Sequence, residues 1–314
     1  MKYNFVTILN NLYLPQALAL YESIKKFGLK FKLWAICLDD ESFFTILNLG
    51  ESNFTPVNFK FHENNKLINL RKKRSIAEYC WTITPISPKL IFNLDKNIKF
   101  ITYVDADIFF LKSPKILINK FVKSKKYISF TRHNFSSDEK IKENIYGKFC
   151  VQFMTFKRNK SEKIRKIWET KCIEWCYATP NKGRMGDQKY LDSIYYKFKH
   201  LIHISEENAF ISTWNYEKIN YRRLIAWHFH GFKIIEKNFF LMHHLKFMPI
   251  KIINIIYIPY ILNIKKIINK IRFSKNQLES SNLFNNIFNK IKFLLIKFKI
   301  LSRGNYYFIN NKLK

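Results

Sequence analysis

The chain has 314 residues, of which 47% are apolar and 17% aromatic, and carries a formal charge of +32. That composition excludes a disordered chain, and the length allows one large α/β domain or two smaller ones with a real core. At face value the charge points to nucleic acid, an anionic membrane or phosphorylated substrates. Lys, Ile, Asn and Phe are overused together, a pattern of AT-rich coding as much as of selection for charge.

Tyr3 to Leu9 reads as a first strand, with Asn10-Asn11 as the turn leaving it. Apolar residues at helical spacing predict an amphipathic helix from Pro15 to Phe27, ended by Gly28. Phe31 to Leu38 is a second strand, stopping at Asp39-Asp40-Glu41. Strand, helix, strand is the usual opening of an α/β sheet. No G-x-G-x-x-G or Walker lysine loop follows the first strand, which argues against a dinucleotide enzyme or a P-loop NTPase. A short strand near Val57 to Phe61 comes next, then the basic cluster Arg71-Lys72-Lys73-Arg74, which either faces phosphates or is a solvated run. Ile76 to Thr84 and Pro88 to Leu94 should be short helices.

The stretch from Phe100 to Leu111 is apolar except for Thr102 and two acids one residue apart, Asp105 and Asp107. A run of this kind reads as a buried strand, and acids inside it are costly to desolvate unless something compensates them. On a regular strand the two carboxylates share a face, and a bend would bring them to a common point. With no basic residue adjacent, the pair either invites a divalent cation such as Mg²⁺ or Mn²⁺ or bonds loop amides at a strand end.

Further strands are expected at Tyr127 to Thr131 and Cys150 to Phe156, followed by a long helix from Lys160 to Tyr177. Gly183 and Gly186 then free the backbone before a helix whose first turn carries Asp187 and Gln188, and Asp187 suits either a helix cap or a site. Leu224 to Phe229 is a late strand, and its His228 and His230 would share one face, available as ligands to the unpartnered carboxylates. Five cysteines at scattered positions fit reduced thiols in a cytoplasmic chain. No signal sequence and no uninterrupted apolar run of roughly 18 residues is visible.

Residues 241–314 differ from the rest, with 14 Lys or Arg against one acid, a net of +13. Leu283 to Leu301 follows helical spacing with lysines and asparagines mostly off the apolar stripe, and Lys251 to Phe273 has a similar character. A basic amphipathic helix of this kind lies in an anionic membrane surface or packs on the main domain.

Taken in order, several segments resemble bacterial nucleotide-diphospho-sugar glycosyltransferases of the GT-A fold, close to glycosyltransferase family 8. They are Tyr13-Leu14-Pro15-Gln16-Ala17-Leu18-Ala19-Leu20-Tyr21-Glu22-Ser23, Arg74-Ser75 through Thr82, Tyr103-Val104-Asp105-Ala106-Asp107, Glu174-Trp175-Cys176, Gly186-Asp187-Gln188-Lys189-Tyr190-Leu191-Asp192, Trp214-Asn215 and His228-Phe229-His230-Gly231. The match runs from residue 13 to 231 and excludes the tail. It implies a Rossmann-like mixed sheet flanked by helices over residues 1–240, and the basic helical segment over 241–314, read from its own charge and spacing, is expected to associate with a membrane.

The resemblance also implies roles. Asp105 and Asp107 would hold Mn²⁺ or Mg²⁺ against the diphosphate, joined by His228, with His230 as the competing ligand. Lys233 would neutralise the leaving diphosphate, although the spacing to it is one residue short of the family's H-x-x-G-x-x-K pattern. Asp187 and Gln188 would sit beside the reacting sugar. Thr7, Asn10 and Tyr13 would lie near the nucleoside, and Arg74 would contribute to the nucleotide site. The expected reaction is transfer of a sugar, with retention, from a nucleotide diphosphate to a surface glycan of lipopolysaccharide or capsule type. The expected place is the inner face of the cell membrane. A sugar-nucleotide pyrophosphorylase would need a glycine-rich loop after the first strand, which Asn10-Asn11-Leu12 does not supply. The remaining alternatives are a nucleic-acid-binding protein, for which no recognition motif is present, and a non-catalytic membrane adaptor.

Overall fold

The computed structural model describes residues 1–236, 238–243, 248–271 and the strand at 306–308. Its opening follows the apolar pattern. Strand β1 (Tyr3–Leu9) alternates Phe5 and Leu9 into one core with Val6 and Ile8 into another. Helix α1 (Leu14–Lys25) starts with a proline in its first turn, where no backbone donor is missed. The chain leaves it through Gly28 at φ +61°, a conformation that glycine adopts without a steric cost. Strand β2 (Phe31–Cys37) then pairs parallel to β1.

Two helices absent from the sequence reading follow, each with its own cap. Asp39 accepts from the Ser42 amide at 2.7 Å to start α2 (Asp40–Asn48). Beyond β3 (Phe54–Asn58), Asn64 caps α3 (Asn65–Lys73). A capping box between Ser75 and Glu78 opens α4 (Ile76–Ile83), and α5 (Ser87–Leu94) leads into the acidic stretch.

The expected single strand over 100–111 is two strands. β4 (Phe100–Val104) joins the central sheet and β5 (Ile108–Phe110) a separate small sheet, with Asp105-Ala106-Asp107 as the turn between them. The rest of the central sheet comes from β6 (Ile128–Arg132), β7 (Phe149–Cys150), β8 (Phe153–Lys157) and β9 (Ile202–Ile204). Between these strands lie α6 (Lys115–Lys123), α7 (Lys142–Tyr146), α8 (Glu162–Glu174) and α9 (Tyr190–Phe198).

The eight-stranded sheet runs β3-β2-β1-β4-β8-β6-β7, with β9 beside β6. Pairing is parallel from β3 to β4 and antiparallel from β4 through β8 and β6 to β7. This is the mixed α/β sheet expected from the sequence. The core on one face holds α1, and the core on the other face holds α4, α5, α8 and α9.

The small sheet consists of β10 (Phe210–Ile211), β11 (Ala226–His228) and β5. A third sheet joins β12 (Lys233–Glu236), β13 (Phe239–Leu241) and β14 (Tyr306–Phe308). β13 therefore runs across the boundary drawn after residue 240. Helix α10 (Ile250–Lys270), which contains one π-helical stretch at Ile253–Tyr257, extends the same core. It buries Ile261, Ile264 and Ile268, stacks Tyr260 on Phe229, and bonds α1 from Asn263 to Glu22 at 2.6 Å. By length and composition α10 could cross a membrane, with mean hydropathy 1.2, yet half of it is buried in the protein. The amphipathic segment 283–301 lies outside the described residues.

Candidate active site and metal centre

The turn between β4 and β5 is held from both sides. The Asp105 amide donates to the Gln152 carbonyl at 3.1 Å, and the Asp107 carbonyl accepts from the Phe229 amide at 2.9 Å. The antiparallel register of β5 on β11 places His228 opposite Ile108, one residue from Asp107. The chain thus brings two segments about 120 residues apart in sequence to a single corner.

At that corner one donor atom from each of Asp105, Asp107 and His228 lies within 4.8 Å of the others. His228 Nε2 is 3.1 Å from Asp107 Oδ1 and 3.8 Å from Asp105 Oδ2. Its other nitrogen, Nδ1, is 2.9 Å from Gln152 Oε1. An amide oxygen only accepts, so Nδ1 carries the hydrogen and Nε2 faces the carboxylates, the arrangement in which an imidazole ligates a metal. Ser212 Oγ holds the His228 carbonyl at 2.8 Å, and the Tyr103 hydroxyl donates to Asp105 Oδ1 at 2.8 Å.

The electrostatics of the corner call for a cation. Burial, with the neighbouring Asp107 charge added, pushes Asp105 up to about 6 against the pull of His228. Burial works against the charge on Asp107 too, but the His228 imidazole outweighs it and holds Asp107 below the ordinary carboxylate range. For His228 burial opposes the cation, and the charge and hydrogen bond of Asp107 reverse this and raise it well above the usual imidazole value. In the absence of metal a proton shared across this corner does the work of a positive ion. Two carboxylates and one correctly oriented imidazole fit a divalent cation.

The corner opens onto a cavity of about 570 Å³. Its lining carries four acids, Asp105, Asp107, Glu139 and Asp187. Lys142 is the one lysine or arginine that lines it among the described residues, and it is paired with Glu139 at 3.0 Å. Asn10 and Tyr13 reach the cavity from the end of β1, as expected. Asp187 and Gln188 line it as well. They lie in the loop before α9, and no side chain caps that helix, so Asp187 is not its cap. Gly186 sets this loop at φ +51°, with the Trp81 ring 3.5 Å from where a Cβ would stand. Burial first, and then the charge of Asp105, raise the Asp187 carboxyl well above its ordinary value.

His230 also lines the cavity, but it follows the end of β11 and is not one of the three grouped donors; its ring sits 5.7 Å from that of His228. Three expected site residues do not reach the cavity. Thr7 is fully buried in β1, facing the α1 side, with its hydroxyl unpaired among the described residues. Arg74 is buried, and its guanidinium donates to the carbonyls of Cys172 and Ile173 at 2.8 and 3.0 Å and to Thr82. It anchors the end of α8 and is not a phosphate contact. Lys233 is exposed on β12, where pairing with Leu241 carries it off the lining.

Sequence reasoning missed Gln152 and His133. Gln152 is fully buried, and a lone polar residue between Val151 and Phe153 was a usable signal. His133 follows β6 without any local motif. All five cysteines are unbridged.

No family model matches the chain. Two uncharacterized proteins of Bacillus subtilis (strain 168) are similar in sequence. YfnF is 26% identical over 253 residues, covering 74% of this chain and 83% of that protein. YfnD is 25% identical over 286 residues, covering 86% and 91%. Among solved structures the chain is similar to mouse xyloside xylosyltransferase 1 in its apo form, with 12% identity, 73% of this chain and 97% of the other covered, and a TM-score of 0.49. It is also similar to the galactosyltransferase LgtC bound to donor and acceptor sugar analogs, with 13% identity, coverage of 73% and 87%, and a TM-score of 0.48.

Proposed function

We propose that the chain is a metal-dependent glycosyltransferase that moves a sugar from a nucleotide diphosphate to a surface-glycan acceptor, with retention of configuration. One observation carries the reading. Two carboxylates and an imidazole converge on a cavity where, among the described residues, the one lining lysine is already paired. Such a cavity repels a diphosphate unless a divalent ion stands between them.

Asp105, Asp107 and His228 hold that ion, and the mixed oxygen and nitrogen donors favour Mn²⁺ over Mg²⁺. When bound, it offsets the charge that develops on the departing diphosphate. Gln152 keeps the imidazole turned so that Nε2 meets the ion. Asn10 and Tyr13 take the nucleoside, and Asp187 with Gln188 takes the sugar. Burial favours the uncharged Asp187 carboxyl, which can both donate to and accept from sugar hydroxyls. Retention is what the resemblance in the sequence implies. The net charge of +13 in 241–314, from 14 basic residues and one acid, supports residence at an anionic membrane surface, where a lipid-linked acceptor would be found.

The test is a panel of nucleotide sugars, with and without Mn²⁺, scored by thermal shift and calorimetry. A response to one nucleotide class that needs the metal and is lost in Asp107→Ala supports the reading. Silence across the panel, with salt-sensitive DNA binding in its place, overturns it.

A further inference from the structure

The wall next to the metal corner holds a second oriented imidazole. His133 leaves β6 at its end, and its backbone is tied at both polar groups. Its amide donates to the Lys148 carbonyl at 2.9 Å, and its carbonyl accepts from Trp214 Nε1 at 2.9 Å and Asn215 Nδ2 at 3.0 Å. The ring stacks on Phe135 at 4.7 Å and meets the edge of Trp214 at 5.7 Å. Backbone and ring are therefore both fixed before any ligand arrives.

The ring's hydrogen is fixed as well. His133 Nδ1 lies 3.0 Å from the Gly147 carbonyl, an oxygen that only accepts, so Nδ1 carries the hydrogen. That leaves Nε2 as the accepting nitrogen, with the Gln188 side chain as a polar neighbour of the ring in the same cavity wall. The residue is 4% exposed and lines the cavity. Burial holds the ring neutral, down to about 3, the His228 and His230 charges push the same way, and the Gly147 carbonyl and Gln188 side chain oppose them without reversing the result. The group presented to the cavity is a rigid, desolvated, uncharged acceptor. It has no use for a phosphate oxygen, which cannot donate, and it matches a hydroxyl.

We propose that His133 Nε2 accepts a hydrogen bond from a sugar hydroxyl in this cavity, making it a binding residue that selects substrates bearing that hydroxyl. The inference rests on the glycosyltransferase reading above. The hydroxyl belongs either to the donor sugar or to the acceptor glycan, and the chemistry is the same for both. A ligand that lacks it forfeits that bond in a buried site, which is how a polar site rejects a deoxy analogue.

The test uses the full chain with Mn²⁺ and compares wild type with His133→Phe, which keeps the aromatic packing, and His133→Gln, which keeps an acceptor. Calorimetry measures the nucleoside diphosphate, its nucleotide sugar and a set of monodeoxy nucleotide sugars, and turnover measures the acceptor KM. If the donor sugar is the partner, His133→Phe binds nucleoside diphosphate as wild type does and the nucleotide sugar roughly three- to tenfold more weakly. One monodeoxy sugar then costs wild type a similar factor and costs the variant nothing further. If the acceptor is the partner, the same pattern appears in acceptor KM and the matching deoxy acceptor, with donor affinity unchanged. Partial recovery in His133→Gln supports the proposal, and that variant carries the deoxy comparison by itself if the Phe variant does not fold. Equal losses for bare nucleoside diphosphate and nucleotide sugar overturn the proposal, as does no change for either donor or acceptor. In both cases wild-type binding leaves the transferase reading standing. Absence of any wild-type response to nucleotide sugars overturns the transferase reading itself, and this inference with it.

Discussion

The cavity and the outer surface of this molecule are opposite in charge. Across the whole chain 55 basic residues face 23 acidic ones, whereas the cavity lining holds four acids and one paired lysine among the described residues. The two regions act over different distances. Surface charge raises the local concentration of any anion within about 10 Å, the screening length at moderate salt. It does so without regard to what the anion is. Inside the cavity an anion meets carboxylates and is retained only if a cation accompanies it. Net charge governs what approaches this protein, and the metal corner governs what stays.

Removing the corner should have the largest effect. In Asp107→Ala the His228 imidazole loses its main partner, and Asp105 is left as the single carboxylate. Sugar transfer should fall by roughly 10³-fold or more, the equivalent of several kcal/mol of charge stabilisation. The thermal-shift response to Mn²⁺ plus nucleotide sugar should vanish. A variant that still responds would mean that surface charge, and not the corner, holds the ligand.

A subtler break leaves every ligand in place. In Gln152→Leu the Nδ1 hydrogen bond disappears while the volume at this buried position is nearly kept. Mn²⁺ affinity, from titration of the activity or the thermal shift, should weaken by roughly 10- to 100-fold, the usual cost of losing such a supporting bond. Unchanged affinity would show that the β5–β11 register alone orients His228.

These two residues also show what was and was not legible in the sequence. Asp105, Asp107 and His228 stood out because charged and titratable groups inside apolar runs are chemically incongruous. What the sequence could not convey was that Val104 and Ile108 belong to different sheets, since a break between two apolar runs has the same composition as one continuous strand. The orientation of His228 depends on Gln152, 76 residues away, and no local pattern records such a contact. The first helix and the early strands were readable because their apolar spacing is local. Helices α2 and α3 were missed although Asp39 and Asn64 supply ordinary caps, because their short apolar stripes give a weak period. Arg74 was drawn toward phosphates by the basic residues around it, and its burial could be seen only in three dimensions.

The pH dependence gives a smaller, graded test of the corner. Asp105 is raised to about 6, above its unfolded value of 3.8, and His228 is raised as well. Both shifts favour the proton-bound form in the metal-free fold. The stability that these two groups contribute is therefore present at low pH, and the part from Asp105 is lost as pH rises through about 6. Metal binding requires the deprotonated forms and must displace those protons. The gain in Tm on adding Mn²⁺ should accordingly be small at pH 5 and grow toward pH 8, with roughly tenfold more affinity per pH unit for each proton displaced. A gain that shrinks with pH would require the metal to bind elsewhere.

The smallest effect on ligand binding should come from a residue that composition alone would rank highly. Arg74 lies in the densest basic run before the tail, so a phosphate role predicts a loss of nucleotide affinity when its charge is removed. Its guanidinium is instead committed to Thr82 and to the Cys172 and Ile173 carbonyls, which join the start of α4 to the end of α8. In Arg74→Met the stem remains and those acceptors lose a charged donor, a loss of about 3 kcal/mol in stability. Urea unfolding should show that loss, while the Kd for nucleotide sugar with Mn²⁺ stays within twofold of wild type when measured well below the melting range. The reverse outcome, unchanged stability with weakened nucleotide binding, would place a cation against the diphosphate after all. It would then reduce the contrast between an acidic cavity and a basic exterior to one between two basic surfaces.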